Sequence, residues 1–152
     1  MMRYALCVAL LATSSTFSVA AVPKAVRAVV ISPTNRMIAA GFGNQVHLFD
    51  AKTGAHLRTL APAHSADVEA LAFSPDGVTL ASGSLREVVL WNVATGQRRA
   101  SVDGFAHRVV SLDFSPDGKL LATAGGAPTV DGEVKLLDVG RGKIVRELKS
   151  PH

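Results

Sequence analysis

One stretch of this chain occurs three times. LAFSPDGVTLASGS begins at Leu71, LDFSPDGKLLATAG at Leu112, and a looser copy, VVISPTNRMIAAGF, at Val29. The Ser-Pro pairs fall at 32–33, 74–75 and 115–116, spacings of 42 and 41 residues. A period of this size constrains the fold more than any other feature. Each repeat is one supersecondary unit that cannot bury its apolar side alone, so neighbouring units must stack.

Each unit reads as four short strands. In the second unit they are expected at 68–73, 78–84, 87–92 and 97–102, bounded by Pro-Asp-Gly, Ser-Gly and Thr-Gly. Pro75 presets φ for the first corner of a turn, Asp76 can accept from its own backbone, and Gly77 takes positive φ without strain. The strand VVLW (88–91) is apolar on both faces and therefore needs a neighbour on each side. After the triplets LFD, LWN and LLD comes a small turn with Gly54, Gly96 or Gly142, then an alternating run.

The period, FSPDG, LASGS and LWN together resemble the WD40 repeat of β-propellers. The likeness runs from Val26 to His152. It implies an all-β fold: three four-stranded antiparallel blades at about 26–60, 68–102 and 109–148, forming an incomplete propeller. In that family a Gly-His pair opens each repeat. His64 and His107 are expected in that place, each preceded by Ala, with a shorter loop after His107. The family also often sets an Asp before the third strand to bond that His. Here the turns read GNQ (43–45) and LRE (85–87), without Asp. The resemblance therefore implies an incomplete His–Ser–Asp–Trp network and blades that depend more on apolar packing.

Three blades do not close a ring of 4–8. Leu148 to His152 repeats the Leu60 to His64 spacing, so His152 is expected to begin a missing fourth repeat. Each bare flank would expose several hundred Å² of apolar surface, roughly 10 kcal/mol at ~25 cal/mol/Å². The expected resolutions are a longer protein of which this is a fragment, a homo-oligomer joining arcs if the chain is full length, or a marginal lone arc.

The N-terminus has its own pattern. MMR is basic, YALCVALLA is apolar, and TSSTFSVAA supplies small residues for cleavage after Ala20 or Ala21. This is the layout of a secretory signal peptide over 1–20, leaving 21–152 as the partial propeller, periplasmic or extracellular. The apolar run is too short to span a bilayer, so no membrane insertion is expected after cleavage. Cys7, the one cysteine, would leave with the signal, so no disulfide is expected in the mature chain. The sixteen Lys and Arg and twelve Asp and Glu alternate along the sequence without forming a stripe. That pattern argues against a nucleic-acid partner.

No catalytic, metal or cofactor motif is present in the sequence, and no cofactor is expected. His47 and His56 read as polar strand positions, His64 and His107 as structural histidines, Trp91 as core, Asp76 and Asp117 as turn residues. The segment GGAPTVDG, Gly125 to Gly132, is the best candidate for binding, since loops on rigid scaffolds carry function. Asp131 and Glu133 there suggest a cation site, but a long hairpin without ligand is the stronger expectation. With one Trp and one Tyr, exposed aromatics for polysaccharide are scarce. The resemblance implies a non-catalytic scaffold for protein partners. The alternative is the opening blades of a larger propeller enzyme or redox-associated protein whose catalytic part lies elsewhere.

Overall fold

The computed structural model describes residues 24–62, 64–127 and 129–148. The expected signal segment, its cleavage sites, Cys7 and His152 lie outside them. Among the described residues every regular element is a strand.

The first sheet contains β1 (Val26–Ile31), β2 (Met37–Phe42), β3 (Gln45–Asp50) and β4 (His56–Leu60), antiparallel and in chain order. The second contains β5 (Ala70–Phe73), β6 (Thr79–Gly83), β7 (Leu85–Asn92), β8 (Arg98–Phe114), β9 (Leu120–Ala127), β10 (Val130–Asp138) and β11 (Lys143–Leu148). The expectation of separate second and third blades meets one difference here. β8 is a single 17-residue strand. Its first part pairs with β7 (Trp91↔Arg98 to Glu87↔Asp103) and its last part with β9 (Arg108↔Gly126 to Phe114↔Leu121). The outer strand of one blade thus continues into the inner strand of the next. Gly104, at φ 100, sits at the corner where an L side chain would be strained.

The turns follow their residues. In the second blade Ser74 Oγ donates to Asp76 Oδ1, Asp76 Oδ1 accepts from Val78 N at 2.9 Å, and Ser74 Oγ accepts from Thr79 N at 2.9 Å. Ser115 and Asp117 repeat the set. These bonds hold both aspartates below the usual carboxylate range, led by the serine hydroxyl. In the first blade Asn35 takes the positive φ, 55°, that Gly77 supplies in the second.

The core lies between blades. Alternate residues of β6 and β7 point to opposite sides of the middle blade. Leu80, Val89 and Trp91 pack with Ala39, Val46, Leu48 and Leu60 of the first blade. Ala81, Val88 and Leu90 pack with Val109, Phe114, Leu121 and Leu137 of the third. This two-sided packing is what VVLW predicts.

Candidate functional site

His64 is fully enclosed at the entry to the middle blade. Its Nε2 lies 2.6 Å from Ser82 Oγ and its Nδ1 2.8 Å from Glu87 Oε1. Trp91 Nε1 donates to the same Ser82 Oγ at 2.7 Å. Burial, the largest influence, holds the His64 pKa below its ordinary value despite the opposing pull of Glu87. The neutral ring has one consistent tautomer: Nδ1–H donates to the carboxylate, and Nε2 accepts from the Ser82 hydroxyl. Desolvation would raise the Glu87 pKa, yet the hydrogen bonds from His64 and the Ser65 amide bring it below the usual value. The expectation of an incomplete network is therefore corrected for this blade. Glu87, the third residue of LRE, supplies the carboxylate from one methylene further out. Arg86, at φ 63, turns the chain so that it reaches.

The expectation for His107 is also corrected. Phe105, not His107, occupies the place of His64. Phe105 precedes Phe114 by nine residues, as His64 precedes Phe73. It is fully buried, and the Ala106 amide donates to Glu133 Oε1 at 2.8 Å as the Ser65 amide donates to Glu87 at 3.2 Å. No loop is shortened. An apolar ring cannot bond the carboxylate, so a buried cation does: Lys135 Nζ lies 2.7 Å from Glu133 Oε2, donates to Gly104 O at 2.6 Å and sits 5.3 Å from the Phe105 ring centroid. Glu133 is thus committed to structure and is not free for a cation, while Asp131 is exposed. Among the described residues no group of three or more His, Cys, Asp or Glu converges. The insert extends the β9–β10 hairpin, with Gly125 paired to Glu133 and Ala127 to Val130.

Strand alternation brings the β2–β3, β6–β7 and β9–β10 turns, with the β4–β5 loop and the bend of β8, to one end of the arc. That end carries charges of both signs. Arg27 Nε meets Asp67 at 3.2 Å and its Nη1 lies 3.7 Å from Glu69, which also receives Arg108. One residue from each blade thus joins a single ladder. Beside it, Arg86, Asp103, Glu133, Lys135 and Glu147 line a cavity of about 540 Å³ between the second and third blades.

His47 and His56 are not isolated strand positions. They meet on the side of the first blade turned away from the others. His47 Nδ1 is 3.2 Å from His56 Nε2, and Thr59 Oγ1 is 3.0 and 3.2 Å from those two nitrogens. Desolvation, then the charges of His56 and Lys24, hold the His47 pKa below its ordinary value. Sequence spacing gave no sign of this meeting.

Known proteins share both repeat and fold. The family described as WD domain, G-beta repeat matches residues 54–92 and 96–138, more than half of the chain. Pre-mRNA-processing factor 19 homolog 2 of Arabidopsis thaliana is 34% identical over 102 residues, covering 65% of this chain and 19% of its own length. Small ribosomal subunit protein RACK1 of Medicago sativa is 35% identical over 98 residues, covering 64% and 28%. The chain therefore spans less than a third of either relative. Among solved structures, U3-55K superposes with a TM-score of 0.76 at 22% identity, covering 84% of this chain and 40% of that one. A repeated sequence, stacked antiparallel blades and the His64–Ser82–Trp91 bonds all agree with that match, and the chain belongs to the WD40 repeat family.

Proposed function

We propose that this chain is the WD40 part of an exported, non-catalytic scaffold that holds a protein partner on its loop end. The observation that carries the reading is the charged ladder and cavity there, placed on a sheet scaffold fixed by hydrogen bonds and buried apolar contacts. Arg27, Arg86 and Arg108 alternate with Asp67, Glu69 and Asp103, a pattern suited to steering a partner with complementary charges. One relative is by name a ribosomal subunit protein, which fits a role inside an assembly. Export rests on the basic–apolar–small order of the first twenty residues. The apolar flanks of the first and third blades are covered by further blades, from a longer polypeptide or a second copy.

The test has two arms. The N-terminal mass of protein recovered from outside the cytoplasm should begin at Ala21 or Val22; an intact Met1 would end the export reading. Partners captured from that compartment should then lose at least tenfold in measured affinity with Arg86→Glu and Arg108→Glu. Lys119→Glu, at the opposite end, should bind as the natural protein does. Equal loss from all three would refute the loop end as the docking surface. A stable monomer made of residues 21–152 alone, by native mass measurement, would refute the covered flanks.

A further inference from the structure

At the end opposite the loops, the first two blades stand apart around a hollow of about 500 Å³. Met37, Leu57 and Val78 line it, together with the buried Leu48 and Val93. Leu57 and Val78 are 51% and 50% exposed. Both blades of this seam are present, so a further blade on either flank does not cover the hollow. Leu57 reaches it through a bulge. Leu48 faces Arg58 and Phe49 faces His56, so Leu57 is the extra residue of β4. Leu57 and Arg58 thereby both line the seam.

The next seam is built differently at the same places. Counting from the Ser-Pro pairs, Met37, Leu57 and Val78 correspond to Thr79, Arg99 and Lys119. There Arg99 Nη1 donates to Thr79 Oγ1 at 2.7 Å. The apolar lining is therefore particular to the first seam and does not follow from blade stacking. One charge accompanies it. Arg58 Nη1 donates to Ala94 O at 3.0 Å, and its stem lies against Gly96, where a Cβ would stand 2.5 Å from Arg58 Cδ. These contacts pin the guanidinium beside the hollow, and among the described residues it has no ion pair. Where the other two blades have Asp50 and Asp138, this wall has Asn92, which holds Thr95 N at 2.9 Å without charge. Asp50 and Asp76 in the adjoining turns accept from their own turn amides, Lys52 N and Val78 N, at 2.9 Å each.

We propose that this hollow is a second docking site, for an extended protein segment that inserts a large apolar side chain between Leu57 and Val78 and sets an Asp or Glu carboxylate on Arg58. A concave apolar surface with one placed polar group is the usual form of such a site. The planar fork of arginine matches a carboxylate, and the lining offers no acid to compete for it. A nucleic acid would leave the apolar walls unused, and a bilayer does not enter a recess between two blades. The site does not depend on the loop-end reading.

Selection of a random peptide library on the full chain tests this. Enriched peptides should share a large apolar residue close to Asp or Glu. Labelled with fluorescein, they should bind one to one by anisotropy. Leu57→Glu and Arg58→Glu should each weaken them roughly tenfold or more, and exchanging the peptide's acid for Lys should do the same. Arg99→Gln, at the place of Leu57 in the second blade, and Arg108→Glu, at the loop end, should leave binding unchanged. Far-UV circular dichroism of each variant shows that it has folded. A library that yields no shared apolar–acidic pattern, or peptides that bind Leu57→Glu and Arg58→Glu as they bind the natural protein, overturns the proposal. Stronger displacement by a single-stranded oligonucleotide or by phosphatidylglycerol vesicles than by unlabelled peptide overturns the assignment to a protein segment.

Discussion

Ser82→Ala is the sharpest test of how the middle blade is held. Ser82 Oγ is the one atom shared by His64 Nε2 at 2.6 Å and Trp91 Nε1 at 2.7 Å. All three residues are buried, at 0%, 3% and 1% exposure, so water cannot replace the hydroxyl without entering the core. Alanine changes the volume little. Its effect is to leave the indole N–H without an acceptor and the imidazole Nε2 without a donor. Each orphaned group costs about 1–3 kcal/mol. Sharing one hydroxyl makes the two less than additive, so the expected loss is about 3 kcal/mol, a large part of the ~5–15 kcal/mol of a domain. Urea unfolding followed by fluorescence reads it directly, because Trp91 is the only tryptophan in the chain. With a slope of ~1–3 kcal/mol/M the midpoint should fall by roughly 1–3 M. Ser111→Ala, on an exposed serine, is the control. A Ser82→Ala protein within ~0.5 kcal/mol of the natural one would show that apolar packing alone carries this blade.

Acid should weaken the fold in two steps. The folded His64 pKa lies below its unfolded 6.5, so the unfolded state binds more protons and stability drops as pH falls below about 6.5. Glu87 and Asp76, also lowered, add a second loss near pH 4, where their unfolded forms protonate; urea midpoints unchanged from pH 7.5 to 5.5 would contradict the first step. In the third blade Glu133→Gln should cost about 2 kcal/mol by leaving the Lys135 ammonium buried without its counter-charge, and adding Lys135→Met should restore more than half. Chemical denaturation of the two variants decides it. Gly83→Ala should cost about 1–3 kcal/mol, since its Cβ would stand 2.9 Å from Val109 Cγ1 and 3.0 Å from Val109 O, and the inner strand of the third blade must move; thermal melting measures it.

The architecture was legible because it rests on short-range signals repeated at long range. Ser-Pro-Asp-Gly fixes each hairpin through its own side chains, and two-sided apolar strands demand stacking. Two readings failed for one reason. They matched letters where the structure matches positions. Glu87 fills a place expected for Asp, because the network needs a carboxylate and tolerates one more methylene. The residue type points to His107, whereas the count back from Phe114 points to Phe105. The nine-residue count alone locates the buried ring. The meeting of His47 and His56 depends on a bulge at Leu57, repeated at Arg99 and Val145, that no residue type announces.

The repeat also separates what a blade does for itself from what its neighbour does for it. Val46, Val88 and Val134 hold the same place in the three units, each paired with the last apolar residue of its blade: Leu60, Val102 and Leu148. Hydrogen bonding along these pairs is the same in each. Exposure is not: Val46 and Val88 are 1% and 0% exposed, Val134 is 37%; Leu60 and Val102 are 1% and 5%, Leu148 is 45%. Forming the sheet therefore does not bury these side chains; the next blade does. At ~25 cal/mol per Å² the stabilisation of each unit is largely a property of the seam between units. The first and second seams should accordingly respond to mutation separately. Val88→Ala would weaken packing against Phe114 and Leu137, and Val46→Ala the packing around Trp91. Only the second should shift the fluorescence of the folded state, and a shift of equal size from both would mean that the two clusters act as one core.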